Sequence, residues 1–239
     1  MEQSDVIMTC RETLHNFPLV TALKSTELQL AGSSISQIQG FSGIRLIIRF
    51  RFYGTGFVAL LSNNHLISVS RYDEPRPKLL AMPPEGEVYS WTLIPPAYTL
   101  SRSVEVLLSI GQTIHVVDAT ESEDRMLDIG PFTHISVSPN GKFVALYTET
   151  GRAFVITSDF QNRLSEYDSK SRIPPKDVQW CGNDAVVIAW EDEVHVIGPN
   201  NAAAKYFYEG RVHIIAGMYN LASENRGLCL KIVIFSDDR

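Results

Sequence analysis

Three histidines with similar sequence surroundings are the first residues of this 239-residue chain to suggest chemistry. His65, His115 and His195 each lie in a short apolar run near a turn, and we place them at equivalent positions of repeated hairpins. Imidazoles that converge from separate repeats could bind a metal or transfer protons. No second ligand lies near any of them in sequence, so the pattern favours hydrogen-bonding or half-exposed strand residues, and we predict no metal site.

Acidic residues are concentrated in one short stretch, at Asp177, Asp184, Glu191, Asp192 and Glu193. Paired carboxylates perform acid and base catalysis when a cleft holds them a fixed distance apart. Asp184 and Asp192 fall in turns, which explains them without catalysis. No serine-hydrolase, zinc-protease, nucleotide-binding or calcium-loop motif occurs in the sequence. We therefore predict no catalytic residue and no cofactor, and leave partner-binding residues unassigned.

Two tryptophans, Trp180 and Trp190, lie within this acidic stretch. Large aromatic residues in apolar runs are typical of a core or of an interface between repeats, and we predict that role. The alternative is that one of them anchors a partner protein, because exposed tryptophans dominate binding energy where they occur.

The elements that would position these residues are β-hairpins, which begin at Phe57, Val104, Phe143 and Val186. Their intervals are 47, 39 and 43 residues, the length of one propeller blade. A blade cannot bury its faces alone, so blades stack around an axis. The sequence therefore predicts an all-β fold, a WD40-like β-propeller of four-stranded blades. Because only these hairpins are clear, we expect the propeller to be incomplete.

Other stretches complete the predicted organisation. Apolar runs predict strands at Ile44–Phe52, Trp91–Ile94, Met126–Ile129 and Phe132–Val137. Polar stretches at residues 73–86, 121–124 and 159–172 predict loops. We assign residues 1–42 to an irregular segment or a first partial blade, 43–217 to the propeller blades, and 218–239 to a divergent tail.

Composition limits the classes of partner and compartment. The chain has 44% hydrophobic and 20% charged residues and a net charge of -6, without a cluster of Lys and Arg, so we predict no nucleic-acid binding. Cys10, Cys181 and Cys229 have neither metal-ligand nor redox spacing, as expected of reduced thiols in a cytosolic protein. No apolar run is long enough for a membrane span, so we expect membrane association only indirectly, through partners.

One segment carries a family resemblance. Residues 173–187, IPPKDVQWCGNDAVV, continue through Trp190-Glu191-Asp192, and the turn Ser138–Lys142, SPNGK, lies in register upstream. This arrangement resembles the N-terminal propeller of the class C vacuolar protein sorting subunit sixteen, which the HOPS and CORVET tethering complexes share. The resemblance is strongest from Val104 to Ile215, about half of the chain.

The resemblance implies a non-catalytic scaffold that acts in protein transport, vesicle tethering and membrane fusion between endosome and vacuole or lysosome. It implies a cytoplasmic protein, peripheral on the cytosolic face of late endosomal and vacuolar membranes, with the other class C tether subunits as partners. In the family, a solenoid after the propeller binds the Sec1/Munc18-like subunit. The chain stops before such a solenoid, so we expect that contact to be lost.

Two other readings stay open at this point. The first is an unrelated WD-repeat-like adaptor, although the Gly-His and Trp-Asp signatures are missing. The second is a propeller hydrolase, which convergent acids or histidines at a channel mouth would favour. If the ring is open, unpaired edges and the apolar segment Cys229–Phe235 predict poor solubility of the isolated chain.

Overall fold

The computed structural model of the chain describes residues 47–61, 63–71, 76–209, 211–220 and 226–235. These residues divide between two compact units: one contains the described residues up to 83 together with 119–121, and the other contains those of 84–118 and from 122 onward. The described regular structure consists of β-strands and two short 3-10 turns, Pro96–Tyr98 and Pro199–Asn201.

The first unit contains one antiparallel sheet of four strands in sequential order. Its strands are β1 (Ile47–Tyr53), β2 (Gly56–Leu61), β3 (Leu66–Val69) and β4 (Pro77–Leu79). Every residue of β2 and β3 is buried, so the apolar runs that predict this hairpin form it. The predicted first strand is confirmed from Ile47 onward, whereas residues 44–46 lie outside the described residues.

The second unit contains three more antiparallel sheets of four strands, each in sequential order, and a final hairpin. The second sheet comprises β5 (Val88–Ile94), β6 (Glu105–Ile110), β7 (Thr113–Val117) and β8 (Ser122–Asp124). The third comprises β9 (Phe132–Val137), β10 (Phe143–Thr148), β11 (Arg152–Thr157) and β12 (Arg163–Asp168). The fourth comprises β13 (Asp177–Cys181), β14 (Ala185–Ala189), β15 (Glu193–Ile197) and β16 (Ala203–Phe207). The hairpin pairs β17 (Arg211–Asn220) with β18 (Arg226–Phe235).

Successive sheets of the second unit stack face to face. The first strands are neighbours, with β5 against β9 and β9 against β13. Along β10, Val144 and Leu146 pack against the second sheet, whereas Ala145 and Tyr147 pack against the fourth. Side chains alternate across a strand, so one apolar strand fills two inter-sheet cores. This is the stacking of propeller blades, as the sequence predicts.

The fourth strand of each sheet departs from the prediction. β4, β8 and β12 fall inside the stretches predicted as loops, and β16 lies where the sequence predicts no strand. Each of these strands is the outer edge of its sheet and is largely exposed, so it needs no apolar pattern. The loop predictions at 73–86, 121–124 and 159–172 are therefore wrong where these strands form.

The predicted strand Met126–Ile129 is wrong as well. Met126 and Asp128 adopt left-handed backbone conformations, with φ of 50° and 53°, which an extended strand does not permit. The segment connects β8 to β9 instead, and its apolar residues Met126 and Ile129 are exposed.

The predicted domain boundaries stay predictions. Residues 1–42 lie outside the described residues, and the boundary between 217 and 218 falls inside β17. The segment Cys229–Phe235, predicted to be prone to aggregation, forms most of β18 and pairs with β17.

Candidate interaction surface

His195, the most deeply placed of the histidines singled out by the sequence, is fully buried between the third and fourth sheets. Its Nε2–H donates to the Glu193 carboxylate, and its Nδ1 accepts from the Tyr167 hydroxyl at 3.2 Å. The Trp190 ring lies against it, with centroids 4.5 Å apart. All of its polar atoms are therefore satisfied within the chain.

This arrangement resembles a catalytic relay in composition only. A general base must reach the proton of a substrate. The His195 ring has no exposed surface, and both of its nitrogens are already engaged. We interpret the group of Tyr167, Glu193, Trp190 and His195 as a joint that fixes the fourth sheet to the third.

Two histidines, the buried His195 and the half-buried His134, make the stability of the fold depend on pH. Burial disfavours the charged ring and lowers the pKa of His195 from its ordinary value of 6.5, although the hydrogen bond to Glu193 opposes the shift. Burial likewise lowers the pKa of His134 on β9, against the opposing charge of Asp177. The unfolded chain therefore binds more protons than the folded chain once the pH drops below about 6.5.

We accordingly expect the free energy of unfolding to be at its maximum above pH 6.5. It should fall as the pH decreases from 6.5 toward the lowered pKa values that the two histidines have in the folded chain. Urea titrations at several pH values between 7.5 and 5, about the range in which histidine titrates, measure this slope. His134→Gln and His195→Gln should each flatten it relative to the wild type. Equal slopes in all three proteins would show that neither ring is held neutral.

The other two histidines do not form a common site with His195. His115 pairs with Leu108 as His195 pairs with Ile188, so these two are equivalent. The prediction that His65 is their equivalent is wrong, because His65 lies at the turn before β3 and its carbonyl accepts from Leu61. In the strand register, the turn between β2 and β3 is one residue longer than the turns before β7 and β15. The residue equivalent to His115 and His195 is therefore Ile67, which pairs with Ala59. Among the described residues, no group of three His, Cys, Asp or Glu side chains could hold a metal.

The acidic residues of the fourth sheet are used separately. Asp177 accepts from the Val178 amide and from the Gln179 side chain. Glu191 forms an ion pair with Lys176, and Glu193 bonds to His195. Asp184 and Asp192 are exposed in turns, as predicted. The contacts of Asp177, Glu191 and Glu193 described above thus go to different partners.

Both tryptophans are inter-sheet residues, which confirms the prediction over the partner-anchor alternative. The Trp180 indole N–H donates 2.9 Å to the Ser136 carbonyl of the third sheet. The Trp190 indole N–H donates 2.8 Å to the Ile173 carbonyl, in the connection between the two sheets. Their rings belong to one buried cluster with Tyr147 and Ile188.

The surface that these joints hold in place consists of the loops between the first and second strands of each sheet in the second unit. We call these loops, residues 95–104, 138–142 and 182–184, the end-loop surface. Tyr98 in the first loop lies flat against Gly141 in the second: a Cβ added to Gly141 would come within 2.5 Å of Tyr98 Cγ. The Asn140 amide donates 3.0 Å to the Asn183 side chain in the third loop. Contacts between neighbouring sheets thus join the three loops into one surface.

The first of these loops presents an apolar residue at its tip. Thr99 Oγ1 donates 2.7 Å to the Ser103 carbonyl, and the Tyr98 amide donates to the Pro95 carbonyl, so both arms of the loop are fixed. Leu100 between them is fully exposed, and Tyr98 is half exposed beside it. Leu100 and Tyr98 together give this rigid loop a small apolar tip, and a rigid loop loses little entropy when it binds a partner.

Sequence reasoning recognised only part of this surface. The sequence predicts the turn Ser138–Lys142 and the turn that contains Asp184. Their contacts with Tyr98 and with each other depend on the stacking of the sheets, which no local pattern reports. Leu100 sits among Thr, Ser and Arg, so it gives no periodic signal.

Sequence comparisons place the chain among vacuolar sorting proteins. The family described as "Vps16, N-terminal region" matches residues 34–220. A Schizosaccharomyces pombe protein, "Probable vacuolar protein sorting-associated protein 16 homolog", is 32% identical over 167 residues, 66% of this chain and 20% of that protein. The Arabidopsis thaliana "Protein VACUOLELESS1" is 28% identical over 192 residues, 71% of this chain and 22% of that protein. The chain thus spans about a fifth of the length of these curated relatives.

Structural comparison agrees on the fold. Crystal structures of BBS1N in complex with ARL6DN match with TM-scores of 0.56 and 0.58, the former soaked with mercury and the latter with lead. The sequence identities are 10% and 11%, and the matches cover 79% and 80% of this chain and 60% and 62% of those chains. The likeness therefore concerns the fold alone and confirms the predicted β-propeller. Among the described residues, no helix combines the length and apolar character that a membrane crossing requires.

The family match covers most of the chain, includes the four described four-stranded sheets, and agrees with the fold that these sheets form. The chain belongs to the Vps16 N-terminal region family.

Proposed function

We propose that this chain is a non-catalytic scaffold of a vacuolar protein sorting tethering complex, HOPS or CORVET. In this role it contributes to transport from endosome to vacuole or lysosome and to membrane fusion. It makes and breaks no bond itself. It acts from the cytosolic face of late endosomal and vacuolar membranes, which it reaches through other subunits.

The family match over residues 34–220 is the observation that carries this proposal. The structure supports a binding role because the histidine with the most elaborate hydrogen bonding is sealed inside an inter-sheet joint. The stacked sheets also hold the end-loop surface rigid, and rigidity lowers the entropy lost when proteins associate. We assign the contacts with other class C tether subunits to that surface.

The experiment that tests the function is depletion of this protein from its own cells, with the delivery of a vacuolar or lysosomal hydrolase as the readout. A tethering role predicts that the hydrolase precursor is secreted or accumulates, and that re-expression of the wild-type protein restores delivery. Normal maturation of the hydrolase after complete depletion would overturn the proposal.

Leu100→Asp tests the assignment of the end-loop surface. Leu100 is fully exposed, so the change should leave the unfolding free energy within about 0.5 kcal/mol of the wild type. A leucine buried in a partner contributes about 2 kcal/mol, so recovery of tether subunits with the tagged chain should fall about tenfold or more.

Met126→Asp is the matched control for this variant. Met126 is also an exposed apolar loop residue, but its loop lies at the other end of the sheets. We expect its recovery of subunits to equal that of the wild type. Equal recovery with Leu100→Asp would contradict the assignment of the contact to the end-loop surface.

A further inference from the structure

The loop between β5 and β6 carries a short motif, Pro95-Pro96-Ala97-Tyr98, in which a tyrosine follows a pair of prolines after one intervening residue. The chain has two other Pro-Pro pairs, at 83–84 and 174–175. At the position that Tyr98 occupies in the motif, those pairs have a glycine and an aspartate. The tyrosine therefore distinguishes this pair of prolines from the two that serve only as loop residues.

Two adjacent prolines and a tyrosine in this order form a ligand for WW domains. A WW domain is a small module whose aromatic groove takes the two prolines in the polyproline II conformation, and a second pocket beside the groove takes the tyrosine ring. SH3 domains bind proline-rich segments as well, but they need a second proline three residues after the first, where this chain has Tyr98. The composition of the motif therefore selects a WW domain as the class of partner.

The structure places the motif where a partner can reach it. Ile94 before the motif and Val104 at the end of the loop are buried, so both stems of the loop are anchored in the core. Ala97 and Tyr98 are exposed, the latter at 51% of its full accessibility, and both prolines are half-buried. Pro95 has φ of -62° and ψ of 151°, which is the polyproline II conformation that the groove binds.

Two contacts hold the rest of the motif in a different conformation. Pro96–Tyr98 forms a 3-10 turn, in which the Tyr98 amide donates 2.9 Å to the Pro95 carbonyl. One side of the Tyr98 side chain also lies against Gly141 in the neighbouring loop. A WW domain binds the two prolines extended, so this backbone hydrogen bond must open and the tyrosine ring must leave Gly141.

This opening is small enough for a binding partner to drive. A single neutral hydrogen bond shifts an equilibrium by about three- to tenfold, and a partner that binds only the open loop pays that factor in apparent affinity. The half-exposed ring of Tyr98 loses contact on one side only. The hydrogen bond from Thr99 to the Ser103 carbonyl lies beyond the motif, so the remainder of the loop keeps its shape.

We propose that Pro95–Tyr98 is a docking site for a WW domain of another protein, and that the turn containing Gly141 competes with that domain for the Tyr98 ring. The two prolines occupy the aromatic groove, and the ring fills the tyrosine pocket. The loop exchanges between a closed state, with the ring on Gly141, and an open state that the partner selects. This binding goes beyond the scaffold function and does not depend on which complex contains the chain.

The probe is a purified WW domain that selects Pro-Pro-x-Tyr peptides, labelled with a fluorophore and titrated with the purified full chain. We expect saturable binding, about three- to tenfold weaker than that of a synthetic peptide of residues 92–101, because the peptide has no turn to open. Tyr98→Ala should weaken binding about tenfold or more, in the chain and in the peptide alike, because it leaves the tyrosine pocket empty. The matched control is Tyr89→Ala, an exposed tyrosine of the same sheet outside the motif, which should bind as the wild type does.

Gly141→Ala tests the competition. Its Cβ would come within 2.5 Å of Tyr98 Cγ and drive the ring off the turn, so this variant should bind the WW domain about threefold more tightly than the wild type. Gly111→Ala, whose Cβ meets nothing within 4 Å, should leave the affinity unchanged. Circular dichroism at the titration temperature confirms that both variants are folded, so that tighter binding reports the loop rather than an unfolded chain.

Three results would overturn the proposal. The first is a folded chain that does not bind the WW domain, whether or not the peptide does. The second is equal binding by Tyr98→Ala and Tyr89→Ala, which would place the contact elsewhere on the chain. The third is a folded Gly141→Ala variant that binds no more tightly than Gly111→Ala, which would show that the Gly141 turn does not hold the tyrosine back.

Discussion

Trp190→Ala is expected to lower the free energy of unfolding by about 3–5 kcal/mol, the range for removing a buried tryptophan. Trp190 is buried in the joint between the third and fourth sheets, edge-on to Tyr147 and in contact with the His195 ring. The truncation leaves a cavity there and removes the donor to the Ile173 carbonyl. Because native domains are stable by only about 5–15 kcal/mol, this one change removes a large part of the total.

Urea denaturation followed by circular dichroism measures the effect, with the m-value as the check on two-state behaviour. Trp190→Phe provides a second variant that retains the aromatic ring and loses the indole hydrogen bond. It should cost about 1–2 kcal/mol and should fold even if the alanine variant does not. Losses below about 1 kcal/mol for Trp190→Ala would show that the joint does not hold the two sheets together.

Gly141→Ala is expected to destabilise the chain by about 2–3 kcal/mol, from two sources. Gly141 has φ of +69°, which costs an L-residue free energy by itself. Its new Cβ would also come within 2.5 Å of Tyr98 Cγ and 2.8 Å of Cδ2, so the tyrosine must move off the turn. The displacement disturbs the loop that carries Leu100, so binding through the end-loop surface should weaken as well.

Gly111→Ala is the matched control for this change. Gly111 has φ of +59°, but a Cβ there would meet nothing within 4 Å, so the variant should show the backbone cost alone, about 1 kcal/mol. Adding Tyr98→Gly to Gly141→Ala removes the crowding atoms, the Cβ, Cγ and Cδ2 of Tyr98, so the double variant should recover the steric part of the loss when it is compared with Tyr98→Gly alone. If Gly141→Ala and Gly111→Ala cost the same, Tyr98 does not pack on the turn as described.

Strands that fill cores were predictable from sequence, and strands at the edges were not. β10 alternates between two cores, so nearly every residue of Phe143–Thr148 is apolar or buried, and its pattern is unmistakable. β12 has one buried residue, Ser165, and its other residues are exposed or half-buried rather than packed in a core. Without an apolar period, RLSEYD gives the signal of a polar loop.

The surface depends on contacts that no local pattern contains. The sequence predicts that Gly141 lies in the Ser138–Lys142 turn. It does not predict the contact of Gly141 with Tyr98, because that contact joins residues of two different sheets. Asn201 likewise protects β12 from a turn 35 residues later in the chain. His65 is not equivalent to His115 and His195, because the longer turn between β2 and β3 shifts the register of β3. The hydrogen bonds show this shift, whereas the residue types in the sequence do not.

Quantitative mass spectrometry of proteins that co-purify with the tagged chain, against a tag-only control, tests the central claim most directly. The account predicts enrichment of the other class C subunits of a vacuolar tethering complex, in constant proportion to the tagged chain. A folded, abundant chain that recovers none of these subunits would contradict it.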